Sequence, residues 1–204
     1  MSATPCLILA SQSPRRAELL TQLGLQFRTV VAPVDERPHA GEGAVAYVER
    51  LARHKAAAGV QAAGVEGSGQ PEASVILAAD TIVVIDERIF GKPAHEEDAL
   101  AQLMALSGRT HQVFTAVALV HGAMRAQCVS KTDVQFRTIS ETEARAYWRT
   151  GEPADKAGGY AIQGLGAVFA THITGSYSGV MGLPLAPTAT LLERAGISVW
   201  KTAD

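Results

Sequence analysis

The sequence predicts an α/β fold with a mixed sheet and flanking helices. Apolar runs of strand length alternate along the chain with segments whose apolar residues recur at helical spacing. Two long strand-like runs also follow each other closely enough to pair as a hairpin, which a purely parallel sheet would not contain. The 204 residues suit a single domain over 1–204 without an independent second domain.

The elements predicted for the first half alternate between strand and helix. Ser13 has the position of an N-cap, Pro14 that of a first helical residue, and Gly24 that of the residue just past a helix end. In chain order we expect a strand at 7–10, a helix at 14–23, a strand at 27–31, a loop at 33–43, a helix from 45 to about 56, and a fraying helix end with a surface loop at 59–74.

The second half continues the alternation. Ser140 and Glu143 have the spacing of a capping box, which starts a helix reaching Trp148. The other expected elements are strand segments at 75–79 and 82–85, a helix at 95–106, a hairpin of 112–121 with 126–137, a glycine-rich segment at 155–166, a strand at 167–173, a loop at 175–182 and a helix opened by Pro184.

Composition excludes several classes of protein. A hydrophobic content of 47% excludes a disordered chain, and a net charge of −2 argues against nucleic acid as a partner over a broad surface. Cys6 and Cys128 lie in apolar runs, so we expect reduced core thiols in a cytoplasmic protein. The N-terminal apolar run is too short for a membrane span and lacks signal-peptide features, so no membrane partner is expected.

Arg15 and Arg16 fall in the first turn of the first predicted helix, where acidic residues are usual. A helix N-terminus carries about half a positive charge, so each arginine costs about 0.3 to 1 kcal/mol unless an anion offsets it. Free backbone N–H groups at the same end favour phosphate. The pattern indicates a bound anion, and two solvated arginines beside an ordinary cap are the alternative.

Asp80 lies between two apolar strand segments, 75–79 and 82–85. A carboxylate there is costly to bury without a metal ion, a lysine or a polarised water as partner. Held in this way, it can serve as a general base. The alternative is an aspartate at a strand end that caps a turn.

Four other charged residues are candidates for a phosphate site. Asp35 and Glu36, in the loop at 33–43, are residue types that suit Mg²⁺ or Mn²⁺ shared with a phosphate. Lys55 near a helix end and Lys92 after a strand could neutralise phosphate charge. Taken singly, each is also explained as a solvated surface charge. The histidines, including His111 and His172, are expected at surface or strand-edge positions.

The glycine-rich segment 155–166 is the second distinctive stretch. Its glycines would permit close approach of the backbone to a ligand, and Gln163 offers a donor and an acceptor that suit a nucleobase edge. The segment matches neither a P-loop nor a dinucleotide fingerprint. A turn with a purely structural purpose is the alternative.

Taken together, these segments resemble the Maf family of nucleoside triphosphate pyrophosphatases, formerly described as septum-formation inhibitors. The resemblance runs nearly from end to end. The residues that carry it are 9–16, 51–56, 78–81, 91–93, 155–160 with 162–164, and 175–177 with 182–185.

The resemblance implies an elongated two-lobed fold around a nucleotide cleft, a homodimer, and hydrolysis between the α- and β-phosphates of a nucleoside triphosphate. It implies that Asp80 accepts the proton of the attacking water and that Glu36, with Asp80, holds a divalent metal, Mg²⁺ or Mn²⁺. The residues implied to bind or neutralise the triphosphate are Ser11, Arg16, Lys55 and Lys92.

Arg15, Thr81 and Gln163 match positions that separate a branch acting on dTTP and UTP from one acting on 7-methyl-GTP. A neutral amide at Gln163 favours the pyrimidine branch, because it meets the mixed donor and acceptor edge of uracil or thymine. Two alternatives are a pyrophosphatase for 7-methyl-GTP or another purine nucleotide, and a nucleotide-binding regulator of septation that acts through a protein partner.

Overall fold

A computed structural model of the chain describes residues 5–31, 33–64 and 74–200. The strands are β1 (Cys6–Ala10), β2 (Phe27–Val30), β3 (Ser74–Ile85), β4 (Arg88–Phe90), β5 (Thr110–His121), β6 (Met124–Phe136) and β7 (Ala170–Thr174). The α-helices are α1 (Pro14–Gln22), α2 (Ala44–Ala62), α3 (Glu96–Leu106), α4 (Glu141–Trp148), α5 (Tyr177–Met181) and α6 (Leu185–Arg194). Single 3₁₀ turns lie at Glu152–Asp155, Ala157–Gly159 and Leu165–Phe169.

The seven strands found in the described residues form one sheet in the order β2-β1-β3-β5-β6-β7, with β4 paired to β3. Strand β1 is parallel to both β2 and β3, whereas the β3–β4 and β6–β7 pairs are antiparallel. A mixed sheet with helices confirms the predicted α/β class. Strands β5 and β6 are joined by only two residues, which requires an antiparallel hairpin, also as predicted.

The chain divides into two compact units. Of the described residues, unit 1 comprises those within 5–80, 116–129 and 182–200, and unit 2 comprises 81–115 and 130–181. The core of unit 2 contains the strand side chains of Val83 and Val134, helix residues such as Leu103, and the ring of Phe136. The expectation of a single domain over 1–204 stays a prediction.

Helix α2 is longer than the sequence indicated, because it runs seven residues past Lys55 to Ala62. Gly59, interpreted as a fraying end, is instead buried inside the helix. A β-carbon at Gly59 would lie 2.5 Å from the Cβ of Ala10 on β1 and 3.0 Å from Cγ2 of Ile76 on β3. The glycine is therefore explained by close helix–sheet packing. The loop predicted after it falls largely in 65–73, outside the described residues.

Strand β3 is a single strand of twelve residues, so the two segments predicted on either side of Asp80 are continuous. The alternative of Asp80 at a strand end is therefore wrong. The loop predicted at 175–182 contains the short helix α5, because the Oγ of Ser176 accepts a hydrogen bond from the N–H of Gly179 and caps its first turn.

The strand predicted at 167–173 begins only at Ala170. The N–H groups of Leu165 and Gly166 are bound by the Glu152 carboxylate, which leads residues 165–169 into a 3₁₀ turn. The capping box of α4 is confirmed, since Ser140 Oγ accepts from Glu143 N–H and Glu143 Oε2 accepts from Ser140 N–H.

Two other expectations concern the cysteines and a membrane span. Cys6 and Cys128 are free thiols, but Cys6 is exposed rather than in the core. In the part of the chain that the structure describes, no helix has both the length and the hydropathy to cross a membrane.

His111 is buried, contrary to the surface position expected from the sequence. It is 1% exposed, its Nε2 lies 2.8 Å from the Tyr160 hydroxyl, and its ring meets Phe136 and Tyr160 edge-on. Within the described residues, its Nδ1 has no hydrogen-bond partner. Burial lowers the pKa of His111 from 6.5 to about 4.

We expect the protein to lose stability as the pH falls from the unfolded-state pKa of 6.5 towards the folded-state pKa of about 4. In this window the unfolded chain binds a proton at His111 that the folded chain excludes. The contribution of neutral His111 to the free energy of unfolding is therefore fully present above the window and is lost below it. The full effect is about 3 kcal/mol. Urea midpoints measured at neutral pH and at about pH 5 report about 2 kcal/mol of it.

The matched variants are His111→Gln, which removes the titrating group, and His172→Gln, which removes an exposed histidine. His111→Gln should flatten the pH dependence and His172→Gln should leave it unchanged. An unchanged pH dependence in His111→Gln would show that other groups cause it.

Candidate active site

The Asp80 carboxylate is buried in unit 1 and paired with a lysine. Asp80 is 7% exposed, and its Oδ1 lies 2.5 Å from Nζ of Lys55 on α2. The same Nζ lies 2.6 Å from Oε1 of Glu36, in the loop before α2. One ammonium group therefore holds two carboxylates as close neighbours, and lysine is the partner that Asp80 needed.

Burial and charge act against each other at Asp80. Burial raises the pKa of Asp80, and the positive charges of Lys55 and Arg16 offset part of that rise. The net direction is upward from the ordinary value of 3.8. A carboxylate of raised pKa that is still held next to cations has the properties of a general base.

Helix α2 also fixes the loop that carries Glu36. The Tyr47 hydroxyl donates to the Glu36 carbonyl oxygen at 2.7 Å. Arg50 donates through Nε and an Nη to the two oxygens of Glu42, both at 2.6 Å, and to the carbonyl oxygen of Arg37 at 3.1 Å. The Arg50 and Glu42 side chains are only 11% and 9% exposed, so this ion pair is shielded from water. The loop is therefore anchored at Glu36 itself and at Arg37 and Glu42, which follow it.

Arg16 is bonded within unit 1 rather than solvated. Its Nε donates to the carbonyl oxygen of Gly182 at 2.9 Å and its Nη1 to Oγ of Ser11 at 3.1 Å. Gly182 has φ +118°, a backbone conformation that favours glycine. The alternative of two solvated arginines is therefore wrong for Arg16. Arg15 beside it is half-buried.

The start of α1 has the features of an anion site. Ser13 takes the N-cap position and Pro14 the first helical position, as predicted, but the Ser13 side chain makes no capping hydrogen bond. The first turn contains no acidic residue. Its N–H groups and the nearby guanidinium of Arg16 favour a bound phosphate.

Glu36 and Asp80 are the two carboxylates that could hold a divalent metal. Their oxygens converge on one point, the Lys55 ammonium, and carboxylates are the hard ligands that Mg²⁺ prefers. Among the described residues there is no group of three or more His, Cys, Asp or Glu side chains that could hold a metal. Mg²⁺ commonly uses one or two carboxylates and completes its coordination with substrate phosphates and water. Asp35 pairs instead with Arg37 in an exposed ion pair.

Three predicted site residues, Thr81, Lys92 and Gln163, belong to unit 2. Thr81 follows Asp80 on β3, so their side chains point to opposite faces of the strand. The Thr81 hydroxyl lies 2.9 Å from that of Thr115, which donates to the carbonyl oxygen of Gly179. Lys92 and Gln163 are exposed. The roles of these three residues stay predictions.

The glycines of 155–166 are explained by protein packing at three positions. A β-carbon at Gly158 would lie 2.8 Å from Cγ2 of Val83, one at Gly164 would overlap the Glu152 carboxylate, and one at Gly166 would lie 2.6 Å from the Tyr147 hydroxyl. The structural alternative is therefore correct for Gly158, Gly164 and Gly166. The proposed close approach of a ligand is not needed to account for them.

The sequence did not single out the residues that hold the Glu36 loop or those that hold the segment around Gln163. Tyr47 and Arg50 are three residues apart on α2 and both are buried, so polar positions on an otherwise apolar helix face were the available signal. Glu42 and Glu152 lie outside the periodic segments that were interpreted. Glu42 pairs with Arg50 eight residues later, and Glu152 binds the N–H of Leu165 thirteen residues later.

The family model for Maf, described as Maf-like protein, matches residues 6–195, and the chain belongs to this family. A protein of Saccharophagus degradans named dTTP/UTP pyrophosphatase is 53% identical over 195 residues, covering 96% of this chain and 91% of that protein. Proteins with the same name from Pseudoalteromonas atlantica and Chromobacterium violaceum are each 51% identical, covering 94% of this chain and 98% and 95% of their own lengths.

We expect Lys55→Met to cost more stability than Asp80→Asn. Removing the ammonium leaves a buried carboxylate without its partner, at a cost of about 3 to 5 kcal/mol. Removing the carboxylate leaves Lys55 paired with Glu36. Urea denaturation of both single variants and of the double variant measures the coupling.

The double variant should recover part of the stability lost in Lys55→Met. Arg53→Met, at an exposed position of α2, is the matched control and should cost little. Equal costs for the two single variants, with a strictly additive double variant, would contradict the electrostatic account.

Proposed function

We propose that this chain hydrolyses dTTP and UTP between the α- and β-phosphates, releasing a nucleoside monophosphate and pyrophosphate. The observation that carries the proposal is the buried Asp80 carboxylate, held by Lys55 beside Glu36, in a chain about half identical to proteins named dTTP/UTP pyrophosphatase. Nearly the whole chain takes part in that similarity.

Asp80 acts as the general base in this mechanism. It accepts a proton from water as the water oxygen attacks phosphorus and the phosphoanhydride bond breaks. Its burial excludes bulk solvent, and its raised pKa strengthens it as a base. Such chemistry depends on positioning and charge stabilisation and needs no covalent nucleophile.

The cations of unit 1 bind the triphosphate. A lysine ammonium has three donors, and Lys55 directs two of them at Asp80 and Glu36, which leaves one for a phosphate oxygen. Arg16 contributes charge from a fixed position, since Ser11 and Gly182 hold its guanidinium. The N-terminus of α1 adds its backbone N–H groups. By the family resemblance, Lys92 is also expected to neutralise phosphate charge.

Glu36 and Asp80 would hold a divalent cation, Mg²⁺ or Mn²⁺, which when bound supplies charge neutralisation at the phosphate oxygens. Arg15, Thr81 and Gln163 select the nucleotide.

We further propose a cytoplasmic protein that acts as a homodimer of single-domain chains. The alternative function is a nucleotide-binding regulator of septation that acts through a protein partner in cell division and uses the same nucleotide site.

A pyrophosphate-release assay with Mg²⁺ or Mn²⁺ tests the proposed function. We expect dTTP and UTP to be better substrates than GTP and 7-methyl-GTP, with pyrophosphate as the product. Asp80→Asn should lower kcat by about 100- to 10,000-fold, because the base is lost while the shape is kept. Asp133→Asn, at a partly exposed position of β6, is the matched control.

Release of inorganic phosphate would overturn the proposed cleavage position. A clear preference for 7-methyl-GTP would assign the chain to the purine alternative. An Asp80→Asn variant of unchanged rate would remove Asp80 from the mechanism, and binding without turnover in the wild-type protein would favour the regulatory alternative.

The two arginines at the start of α1 should have separable effects. Arg16 is fixed by Ser11 and Gly182, so Arg16→Ala should raise KM for every triphosphate by a similar factor. Arg15→Ala should change the ratio of kcat/KM values among nucleotides more than Arg16→Ala does. The same nucleotide panel measures both effects, and equal selectivity changes in the two variants would contradict the division of roles.

A further inference from the structure

The carboxylate of Glu152 lies at the centre of a hydrogen-bonded cluster that the proposed chemistry leaves unused. Its Oε1 accepts from the Tyr147 hydroxyl at 2.6 Å and from the N–H of Gly166 at 2.9 Å. Its Oε2 accepts from the N–H of Leu165 at 2.9 Å. The Tyr147 hydroxyl in turn accepts from the N–H of Ala161 at 3.1 Å. We call Tyr147 and Glu152 the clamp.

The clamp binds the backbone on both sides of Gln163. Ala161 precedes Gln163 by two residues, and Leu165 follows it by two. Between them, the N–H of Gly164 donates to the carbonyl oxygen of Ala161, which closes a tight turn with Gln163 in its second half. The side chain of Gln163 itself is exposed. The clamp thus fixes the backbone of Gln163 and leaves its amide for a ligand.

Steric fit and charge both hold the segment around Gln163 against the clamp. Glu152 and Tyr147 occupy the positions where β-carbons of Gly164 and Gly166 would lie. Burial opposes ionisation of Glu152, but the hydrogen bonds from Tyr147, Gly166 and Leu165 outweigh it and hold its pKa below the ordinary value. The carboxylate is therefore charged at neutral pH, and charge-assisted hydrogen bonds are the stronger kind.

We propose that Glu152 and Tyr147 are positioning residues that fix Gln163 for reading the nucleotide base and so determine the preference for pyrimidines. The inference rests on the proposed function. Neither residue needs to touch the substrate, since both act through the backbone of the turn. A displacement of about 1 Å in such a contact costs up to about 100-fold in rate.

A purely structural brace would behave differently from a positioning device. Loss of a brace lowers the amount of folded enzyme and reduces the apparent rate with every substrate by one factor. Loss of positioning at Gln163 affects the substrates whose base Gln163 reads, while chemistry at the triphosphate continues. The ratio of kcat/KM for UTP to kcat/KM for GTP separates the two.

The experiment measures that ratio, and the corresponding ratio for dTTP, in the wild-type protein and in Glu152→Gln, Tyr147→Phe and Gln163→Glu. In Glu152→Gln an amide N–H₂ faces the N–H of Leu165 or replaces an acceptor for Gly166. We expect both clamp variants to lower the pyrimidine-to-purine ratio by about tenfold or more, in the direction of Gln163→Glu.

Glu141→Gln is the matched control, because it removes an exposed carboxylate from α4, the helix that carries Tyr147. It should leave the ratio unchanged. Tyr147→Phe removes a single hydroxyl and keeps the test decisive if Glu152→Gln fails to fold.

An equal loss with every nucleotide, or an unchanged ratio in both clamp variants, overturns the inference while the proposed function stands. An unchanged ratio in Gln163→Glu also overturns it, since the clamp would then have no reader to position. A wild-type protein that releases no pyrophosphate overturns the proposed function itself, and the inference with it.

Discussion

The ion pair between Lys55 and Asp80 is the interaction on which the candidate site depends. A carboxylate inside an apolar strand is unfavourable by itself, and its burial would favour the neutral form. The ammonium of Lys55 stabilises the charged form of Asp80, and Glu36 binds the same ammonium. The other features of unit 1 serve this arrangement: α2 presents the lysine, and Tyr47 and Arg50 hold the loop that presents Glu36.

Sequence patterns were sufficient for the fold class and for most element positions. They marked Glu36, Lys55 and Asp80 as candidates, but they did not show that these side chains meet. They succeeded where the signal is local, as in the Ser13-Pro14 start of α1 and the capping box of α4. They failed where distant groups decide the local structure. The strand expected from residue 167 is shortened because Glu152 takes two backbone N–H groups, and no periodicity in 165–169 indicates that.

The glycines show most clearly that local sequence patterns do not reveal contacts with distant parts of the chain. The sequence marks where they occur but not what lies against them. At Gly164 and Gly166 the neighbours are a carboxylate and a hydroxyl of the protein itself, so a segment that suggested ligand contact is shaped by internal packing. His111 is a second case, because only the assembled core shows an imidazole enclosed by Phe136 and Tyr160.

The contact between Gly59 and Ala10 has a mechanical consequence for the charged pair. Gly59 lies one helical turn after Lys55, on a helix whose distance from β1 is set by the absence of a side chain at that point. A larger residue would lift this part of α2 from the sheet and carry the lysine with it. The distance from the Lys55 ammonium to Asp80 therefore depends on how closely Gly59 and Ala10, two of the smallest residues in the chain, can pack. Electrostatic attraction acts only within the range that this packing allows.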